Sequence, residues 1–498
     1  MNEAVKQILL ARVYDVAIET PLQHAVKLST GNRSVFLKRE DLQPVHSFKL
    51  RGAYNRIAQL NDLEKQRGVI AASAGNHAQG VALSAQRLGI SAHIVMPITT
   101  PKIKIEAVRS YGASVILKGD NYSEAADHCK QLIKSTGRVY IHPFDDKLVI
   151  AGQGTVGREI LEQLPNVSHI FVPVGGGGLL AGISQYIKTL KPEVNIIGVE
   201  PDDSNAMYQS LKAGKRVQLA QVGIFADGVA VKQVGKIAFD VAEKYVDQVI
   251  TVTTEQTCAA IQQVFEETRT ILEPAGALAT AGLTKYFDGD SGAQESYCVA
   301  ICSGANISFE RLQFVAERTK LGSGNESLFA VKLPEKPGAL LNFCEQVING
   351  YNISEFNYRL SNREEAHIFL GIIMPDSNDK QKFINSMKND NYEFVDLSND
   401  EVAKEHIRHM IGGTSSATKN EHLYLVEFPE RPGALAEFLH TMKNKWNISL
   451  FHYRGQAGNI GRVLIGYEAS DEKMLCKQLE KAGINFKKVE SYSANIFL

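Results

Sequence analysis

Lys49 lies between two apolar residues, Phe48 and Leu50, at the start of a predicted helix. An ammonium group held against apolar neighbours loses hydration, so its pKa falls and a neutral, nucleophilic amine becomes available. Such an amine can form a Schiff base with a carbonyl compound. A single lysine in this setting is more often a surface residue whose stem packs on an amphipathic helix. The other polar segments of the chain must therefore decide between the two interpretations.

A run of glycines follows the apolar residues 170–174 and leads into a second predicted helix. The run consists of Gly175, Gly176, Gly177 and Gly178, followed by Leu179. Consecutive glycines expose backbone N–H groups that no side chain covers, which is typical of a phosphate-binding loop. The stretch from Gly176 to Ala181 also matches G-x-G-x-x-A, and Glu200 ends the next predicted strand. A dinucleotide site with Glu200 on the ribose is thus a second interpretation, and a tightly packed turn is a third.

Small and hydrogen-bonding residues follow another predicted strand, residues 69–72, and open a helix that ends before Gly89. These residues are Ser73, Ala74, Gly75, Asn76 and His77. Small residues let an anion approach the N–H groups at the positive end of a helix, so this loop is a candidate site for a substrate carboxylate. The alternative is an ordinary turn in which Ser73 or Asn76 caps the helix.

Two further polar residues stand where predicted elements begin or end. Ser303 follows the apolar strand 297–302, and it either contacts a ligand or caps a following helix. Glu273 precedes Pro274 at the start of an alanine-rich helix. A catalytic role and a favourable charge on the helix dipole both account for this glutamate.

The elements that must position these residues are alternating strands and helices, which predict one or two open, mostly parallel α/β sheets. The predicted strands are residues 34–38, 69–72, 92–96, 114–117, 139–141, 170–174, 195–199 and 297–302. In such sheets ligands bind where strands end and helices begin. Pyridoxal 5′-phosphate would use these junctions together: its aldehyde would take Lys49, its phosphate the glycine run, and its ring Phe48, Asn76 and Ser303.

The C-terminal third contains an internal repeat. Residues 333–340, Leu-Pro-Glu-Lys-Pro-Gly-Ala-Leu, recur as residues 428–435, Phe-Pro-Glu-Arg-Pro-Gly-Ala-Leu. The repeat predicts two copies of one module built as strand, Pro-Gly turn, helix, strand and strand. We therefore predict a catalytic domain over 1–321 with a smaller subdomain over about 52–142, a linker over 322–327, and modules over 328–405 and 421–498.

Composition excludes several other functions. The chain has 54 Lys+Arg and 55 Asp+Glu, so no global charge draws it to nucleic acid or anionic lipid. Its six cysteines form no C-x-x-C pair, which predicts reduced thiols rather than a disulfide framework or a zinc site. No charge-free apolar run is long enough to span a bilayer, and residues 1–20 have no targeting character. We expect a cytoplasmic protein with small-molecule partners.

In combination, these motifs resemble the biosynthetic threonine dehydratases (threonine ammonia-lyases), which are fold type II pyridoxal-phosphate enzymes. The resemblance rests on Lys-Arg-Glu-Asp (38–41), Ser-Phe-Lys-Leu-Arg-Gly-Ala-Tyr (47–54), Ser-Ala-Gly-Asn-His-Ala-Gln-Gly (73–80), the glycine run, Ser-Gly-Ala-Asn (303–306) and the doubled module. It implies a tryptophan-synthase-β-like α/β core with two subdomains and open, twisted, mostly parallel sheets. At the C terminus it implies a tandem ACT-like α+β domain.

The resemblance also implies roles. Lys49 would bind the cofactor and remove the Cα proton, Asn76 would bond the 3′ oxygen of the cofactor, and Ser303 would contact its ring nitrogen. The reaction would convert L-threonine to 2-oxobutanoate and ammonia, the first committed step of isoleucine biosynthesis. Isoleucine would inhibit and valine could activate at the ACT-like modules of a homotetramer. Related serine racemases and dehydratases bind a divalent cation with a glutamate that matches Glu200 and an aspartate six residues later, where this chain has Ala206. We therefore expect no divalent metal, and a monovalent ion stays open.

Other functions remain open at this point. Within the same fold, the alternatives are a serine/threonine dehydratase and a β-replacement synthase. Outside it, they are an NAD-linked oxidoreductase that uses the Gly176–Ala181 fingerprint, and a non-enzymatic amino-acid sensor built on the repeat. The doubled module favours a regulated biosynthetic enzyme, because catalysis alone does not require it.

Overall fold

A computed structural model describes residues 3–290, 292–322, 326–334, 343–348, 351–360, 365–374, 377–409, 420–429, 442, 446–454 and 460–490. The chain divides into two compact units, Met1–Val315 and Ala316–Leu498. The first unit is an α/β structure with two mostly parallel sheets, and the second contains antiparallel sheets. The predicted fold class is confirmed.

The strands of the first unit form one larger and one smaller sheet. In chain order they are β1 (Leu22–His24), β2 (Arg33–Lys38), β3 (Val69–Ala72), β4 (Ala92–Met96), β5 (Ser114–Leu117), β6 (Val139–Tyr140), β7 (His169–Pro173), β8 (Asn195–Pro201), β9 (Gln248–Val252) and β10 (Ser296–Ile301). The larger sheet has the order β1-β2-β10-β7-β8-β9 and is parallel except for β1. The smaller sheet, β5-β4-β3-β6, is parallel throughout.

All eight predicted strands are present, with ends shifted by at most two residues. The sequence did not reveal β1 and β9, which form the two edges of the larger sheet. An edge strand is short or partly exposed and lacks the continuous apolar run of a strand buried on both faces. Burial in β9 reflects this, since Gln248 is exposed and Val249 and Val252 are buried.

Helices cover both sheets of the first unit. They are α1 (Glu3–Leu9), α2 (Lys49–Ala58), α3 (Asp62–Arg67), α4 (Asn76–Arg87), α5 (Lys102–Ser110), α6 (Tyr122–Thr136), α7 (Lys147–Gln163), α8 (Gly178–Leu190), α9 (Ala206–Ala213), α10 (Lys236–Tyr245), α11 (Thr254–Thr268) and α12 (Pro274–Tyr286). A further helix, α13 (Arg311–Gly322), runs across the boundary between the units.

The larger sheet is buried on both faces. Ile170 and Val172 of β7 belong to a hydrophobic cluster with residues of α7, α8 and α10, whereas Phe171 belongs to a cluster with α11 and α12. Alternate side chains of a strand point to opposite faces, so helices cover this sheet on each side. In the smaller sheet, Ala53 of α2 and Val81 of α4 share one core with the strands. The helix that begins with Lys49 is thereby fixed on the smaller sheet.

The second unit contains two sheets of the same topology. Its strands are β11 (Glu326–Pro334), β12 (Asn352–Leu360), β13 (Glu365–Ile373), β14 (Glu393–Asp396), β15 (Glu421–Pro429), β16 (Asn447–Arg454), β17 (Ile460–Glu468) and β18 (Phe486–Lys488). Its helices include α14 (Ser377–Asn389), α15 (Glu401–Glu405) and α16 (Glu472–Lys481). The sheet orders are β12-β13-β11-β14 and β16-β17-β15-β18, antiparallel throughout.

The repeat predicted from the sequence thus corresponds to a repeated sheet. Even a register irregularity recurs, between Ile353 and Glu355 in one copy and between Ile448 and Leu450 in the other. The two sheets also share a hydrophobic cluster that contains Leu328 and Leu464. The predicted Pro-Gly turns fall in 335–342 and 430–441, outside the described residues.

The predicted linker 322–327 differs from the structure at both ends. Gly322 is the last residue of α13, and Glu326 and Ser327 are buried residues of β11. Residues 323–325 lie outside the described part of the chain. The Gly- and Ser-rich composition thus overestimated the length of the linker, because polar residues at a strand end do not reveal whether the backbone pairs. The two compact units divide earlier, between Val315 and Ala316.

Within the described residues, no helix combines the length and the apolar character needed to cross a membrane. Five of the cysteines, at positions 129, 258, 298, 302 and 476, are described as free thiols.

Candidate active site

One pocket brings the chemically unusual segments together. It is lined by Phe48, Lys49, Asn76, Phe144, Pro173, Gly175, Gly176, Gly177, Gly178, Leu179, Gly228, Val229, Glu273, Ala275 and Ser303. Several of these residues follow the carboxyl ends of β3, β7 and β10, the edge at which a parallel α/β sheet binds ligands. The predicted residues Phe48, Lys49, Asn76, Ser303 and the glycine run therefore share one site.

Lys49 is the first residue of α2, and its amine faces the pocket. The Nζ atom donates a hydrogen bond to the carbonyl oxygen of Pro143 at 2.8 Å and lies 5.3 Å from the centroid of the Phe48 ring. Burial lowers the pKa of this amine to about 8, although the charge of Glu273 acts in the opposite direction. A buried amine with this pKa is neutral in an appreciable fraction of molecules near neutrality, as a nucleophile or base requires.

The glycine run, which we call the glycine cradle, packs so closely against its neighbours that side chains would not fit. Gly177 has a φ angle of +90°, in the left-handed region that glycine adopts without strain. A Cβ atom at Gly176 would overlap the ring of Phe144, and one at Gly178 would lie 2.8 Å from the carbonyl oxygen of Phe144. Since α8 begins at Gly178, the cradle also lies at the positive end of a helix dipole. These features suit a bound phosphate.

Asn76 begins α4, and hydrogen bonds on both sides fix its side-chain amide. Its Nδ2 donates to Glu273 Oε1 at 2.5 Å, and its Oδ1 accepts from Asn306 Nδ2 at 2.6 Å. Asn306 Nδ2 in turn also donates to the carbonyl oxygen of Val45 at 2.8 Å. The amide is therefore held in a single orientation beside the pocket.

The remaining residues of the predicted substrate loop, Ser73 to His77, surround the start of α4. Among the pocket-lining residues that the structure describes, only Asn76 comes from this loop. The His77 ring is buried, with Nε2 2.8 Å from the Ile141 carbonyl oxygen, and burial lowers its pKa to about 3. A Cβ atom at Gly75 would meet open space, so the backbone there remains accessible to a ligand.

Ser303 lies at the pocket and does not cap a helix. No helix begins within residues 303–310, all of which are described, and α13 starts at Arg311. The Ser303 hydroxyl donates to the carbonyl oxygen of Ala275 at 3.3 Å, and the Ser303 carbonyl accepts from the N–H of Phe48 at 3.3 Å. The second bond ties the segment after β10 directly to the segment that carries Lys49.

Glu273 is the functional candidate that the sequence left undecided. Its side chain lines the pocket, bonds Asn76 and is only 5% exposed. Burial raises the pKa of this carboxyl to about 7, and the charge of Asp227 adds to the rise. An acid before a proline is a common helix start, so sequence alone could not reveal this environment. Phe144, Gly228 and Val229 were missed as well, because no motif distinguishes them.

The structure contradicts the proposed ribose-binding role of Glu200. Its Oε1 accepts from the backbone N–H of Met207 at 2.9 Å, and its Oε2 accepts from that of Tyr208 at 2.8 Å. Burial raises the pKa of the carboxyl to about 8. Both oxygen atoms therefore accept hydrogen bonds from the first turn of α9. This argues against a role of Glu200 in binding a ribose hydroxyl.

Two family models match the chain in sequence. Residues 13–304 match the pyridoxal-phosphate dependent enzymes, and residues 317–407 and 412–496 match the C-terminal regulatory domain of threonine dehydratase. The first match contains the whole of the pocket described above.

Curated relatives are similar over nearly the full length. The L-threonine dehydratase biosynthetic IlvA of Burkholderia multivorans is 50% identical over 94% of this chain and 93% of its own. The chloroplastic biosynthetic threonine dehydratase of Arabidopsis thaliana is 49% identical over 95% of this chain and 80% of its own.

Solved structures are similar over part of the chain. The processed form of threonine deaminase isoform 2 from Solanum lycopersicum has a TM-score of 0.62 and 48% identity, and the similarity covers 64% of this chain and 92% of that one. Maize serine racemase has a TM-score of 0.59 and 32% identity, over 63% of this chain and 96% of that one.

Proposed function

The chain belongs to the biosynthetic threonine dehydratase family of pyridoxal-phosphate enzymes, and we propose that Lys49 is the residue on which its reaction depends. The reaction is the deamination of L-threonine to 2-oxobutanoate and ammonia in isoleucine biosynthesis. The observation that carries the assignment is a lysine amine with a lowered pKa and a glycine cradle in one pocket.

The residues of the pocket fit pyridoxal 5′-phosphate. The glycine run Gly175–Gly178 lines the pocket with backbone that no side chain covers, as a phosphate site requires. The Lys49 amine suits the aldehyde, Asn76 suits the ring oxygen, and Ser303 offers a hydroxyl for the ring nitrogen. When bound, the cofactor withdraws electrons from the substrate Cα and so makes its proton removable. A neutral serine hydroxyl does not hold a pyridine nitrogen protonated, which moderates that withdrawal.

Lys49 then has a second role. Because the Lys49 amine lines the pocket, it could remove the Cα proton of a bound substrate, and a pKa of about 8 suits a general base. The substrate carboxylate would lie at the start of α4, where first-turn N–H groups have no intrahelical carbonyl partner. We propose Ser73 to His77 as this subsite, supported by the open space at Gly75.

A spectrum and an assay test this proposal together. The purified protein should absorb in the visible range through its bound cofactor, and borohydride reduction should fix the cofactor covalently to Lys49 in a peptide map. A keto-acid assay should give a higher kcat/KM for threonine than for serine. A colourless protein with full activity would contradict the assignment, and a product that retains the amino group would instead indicate a β-replacement synthase.

We also propose which residues catalyse the reaction and which bind effectors. Residues 1–321 would be catalytic, and modules over 328–405 and 421–498 would bind amino-acid effectors, with isoleucine as inhibitor and valine as a possible activator. The repeated sheets and their shared hydrophobic cluster support paired effector modules, because a ligand on one sheet can act on the other through that cluster. A homotetramer remains a prediction from the family resemblance, and a cytoplasmic location remains a prediction from the composition.

Isoleucine should raise the threonine concentration needed for half-maximal rate, by a coupling of about 1–3 kcal/mol or roughly 5–150-fold. Deleting residues 322–498 should abolish this response. The measurement is the initial rate against threonine concentration, with and without isoleucine, for both proteins. The truncated protein must first show the visible band and threonine turnover. Undiminished inhibition in that protein would place the effector site in the catalytic unit.

A further inference from the structure

A hydrogen bond joins the two halves of the first unit at the pocket. Asn76 starts a helix that packs on the smaller sheet, whereas Glu273 immediately precedes α12, which packs on the larger sheet. Their contact, from Nδ2 to Oε1 at 2.5 Å, therefore spans the cleft in which Lys49 lies. The proposed function uses Asn76 but gives Glu273 no role.

Glu273 contacts the Gly304 backbone as well as Asn76. Its backbone N–H donates to the Gly304 carbonyl oxygen at 3.2 Å, and a Cβ atom at Gly304 would overlap its Oε1. The side chain is therefore packed against the backbone that follows Ser303. On the other side of the amide, Asn306 Nδ2 donates a hydrogen bond to Asn76 Oδ1 at 2.6 Å. An amide nitrogen has two N–H groups, so one is bound to Glu273 and one remains for a ligand in the pocket.

We propose that Glu273 is a positioning residue for the cofactor, which orients the Asn76 amide so that its second N–H points to the ring oxygen of pyridoxal phosphate. The inference rests on the proposed function, since it takes Asn76 as a cofactor ligand. The ionised carboxylate is the stronger hydrogen-bond acceptor, so Glu273 holds the amide more firmly when it is charged.

Glu273 is also a group whose charge changes near neutrality, because its pKa is raised to about 7. The charged groups that act on it are Lys49 on α2, Lys104 on α5, Asp227 before α10 and Arg311 at the start of α13. Asp227 is bound by Lys104 at 2.9 Å and by Arg311 at 3.4 Å. Asp227 raises the pKa of Glu273, whereas Lys104 and Arg311 lower it.

The first experiment compares the holoenzymes of the wild type, Glu273→Gln and Glu273→Ala. The visible circular dichroism of bound pyridoxal phosphate reports how its ring is held, and a titration with pyridoxal phosphate gives the dissociation constant. We expect the wild-type dichroism to strengthen as the pH rises from about 6 to about 8, through the pKa of Glu273. Glu273→Gln, which retains size and an acceptor, should bind within about threefold of the wild type but lose the pH dependence. Glu273→Ala should bind at least about tenfold more weakly.

The second experiment distinguishes an electrostatic effect on the pKa of Glu273 from a structural effect of losing an ion pair. Asp227→Asn and Lys104→Met each break the same ion pair, so a purely structural effect would move the pH midpoint of the dichroism in the same direction in both. If Glu273 is the titrating group, the midpoint should fall in Asp227→Asn and rise in Lys104→Met. Shifts in the same direction, or a pH dependence that persists in Glu273→Gln, would overturn the inference.

The two proposals fail in different ways. A wild-type protein with no visible band and no affinity for pyridoxal phosphate would overturn the proposed function itself. A wild-type protein with a normal band, whose Glu273 variants match it in dichroism and affinity at every pH, would overturn only the role of Glu273.

Discussion

Replacing Lys49 by alanine should abolish threonine deamination while leaving a folded protein that still binds pyridoxal phosphate through the glycine cradle. The amine has two roles in the proposed mechanism, as the anchor of the cofactor and as the base at Cα. Loss of a general base alone costs about 10²–10⁴-fold in rate, and loss of the anchor adds to that. The rate of 2-oxobutanoate formation should therefore fall below detection.

Lys102→Ala is a suitable control for this variant. Lys102 begins α5, its side chain is 86% exposed, and its contact with Glu106 is long, at 3.6 Å. The control should keep wild-type turnover, cofactor content and borohydride labelling. Lys49→Ala should bind pyridoxal phosphate reversibly, so that dialysis removes it. Turnover above about one hundredth of wild type in Lys49→Ala would show that another group removes the proton.

Replacing Arg51 by methionine should destabilise the first unit by about 3–5 kcal/mol, because it leaves buried carboxylates without their main partner. Arg51 lies two residues after Lys49 and is fully buried. It binds Glu40 with bonds of 2.7 and 2.8 Å and Glu159 with bonds of 2.5 and 2.9 Å. Without it, Lys38, which lies 2.6 Å from Glu159, would be left to balance the charge of both buried carboxylates.

The measurement is urea unfolding of the wild type and Arg51→Met, with cofactor absorption as the probe of the first unit. Lys130→Met is the control, since Lys130 and its partner Asp127 are both largely exposed, at 69% and 70%. Exposed pairs contribute about 0–1 kcal/mol. An Arg51→Met protein within about 1 kcal/mol of the wild type would show that the cluster contributes little to folding.

The same cluster makes the free energy of unfolding depend on pH. Burial alone would raise the pKa of the Glu40 carboxyl, but the charge and hydrogen bonds of Arg51 hold it below its usual value. The unfolded chain therefore binds a proton at Glu40 at a higher pH than the folded chain does. The stabilisation is complete above the unfolded pKa and is lost as the pH falls through the folded one.

The sequence predicted several residues that the structure brings together in one pocket. Lys49, Asn76, the glycine run and Ser303 all line the pocket, and local patterns of apolar and small residues mark such junctions. Local patterns carry no information on partners that are distant in sequence. The acceptor of the Lys49 amine is the backbone of Pro143, and the charge of Glu273 depends on Asp227, Lys104 and Arg311. These relations exist only once the sheets are assembled.

The strand order of the larger sheet determines the stage of chain synthesis at which the pocket can form. In that sheet β2 pairs with β10, so the segment around Ser47 meets Gly304 across more than half of the chain. The smaller sheet, by contrast, is built from strands between residues 69 and 140 and needs few distant contacts. Contacts distant in sequence form slowly. During synthesis on the ribosome, a nascent chain can thus complete the smaller sheet while its future pocket still lacks β10. The pocket can be complete only after Ser303, the lining residue nearest the C terminus, has emerged.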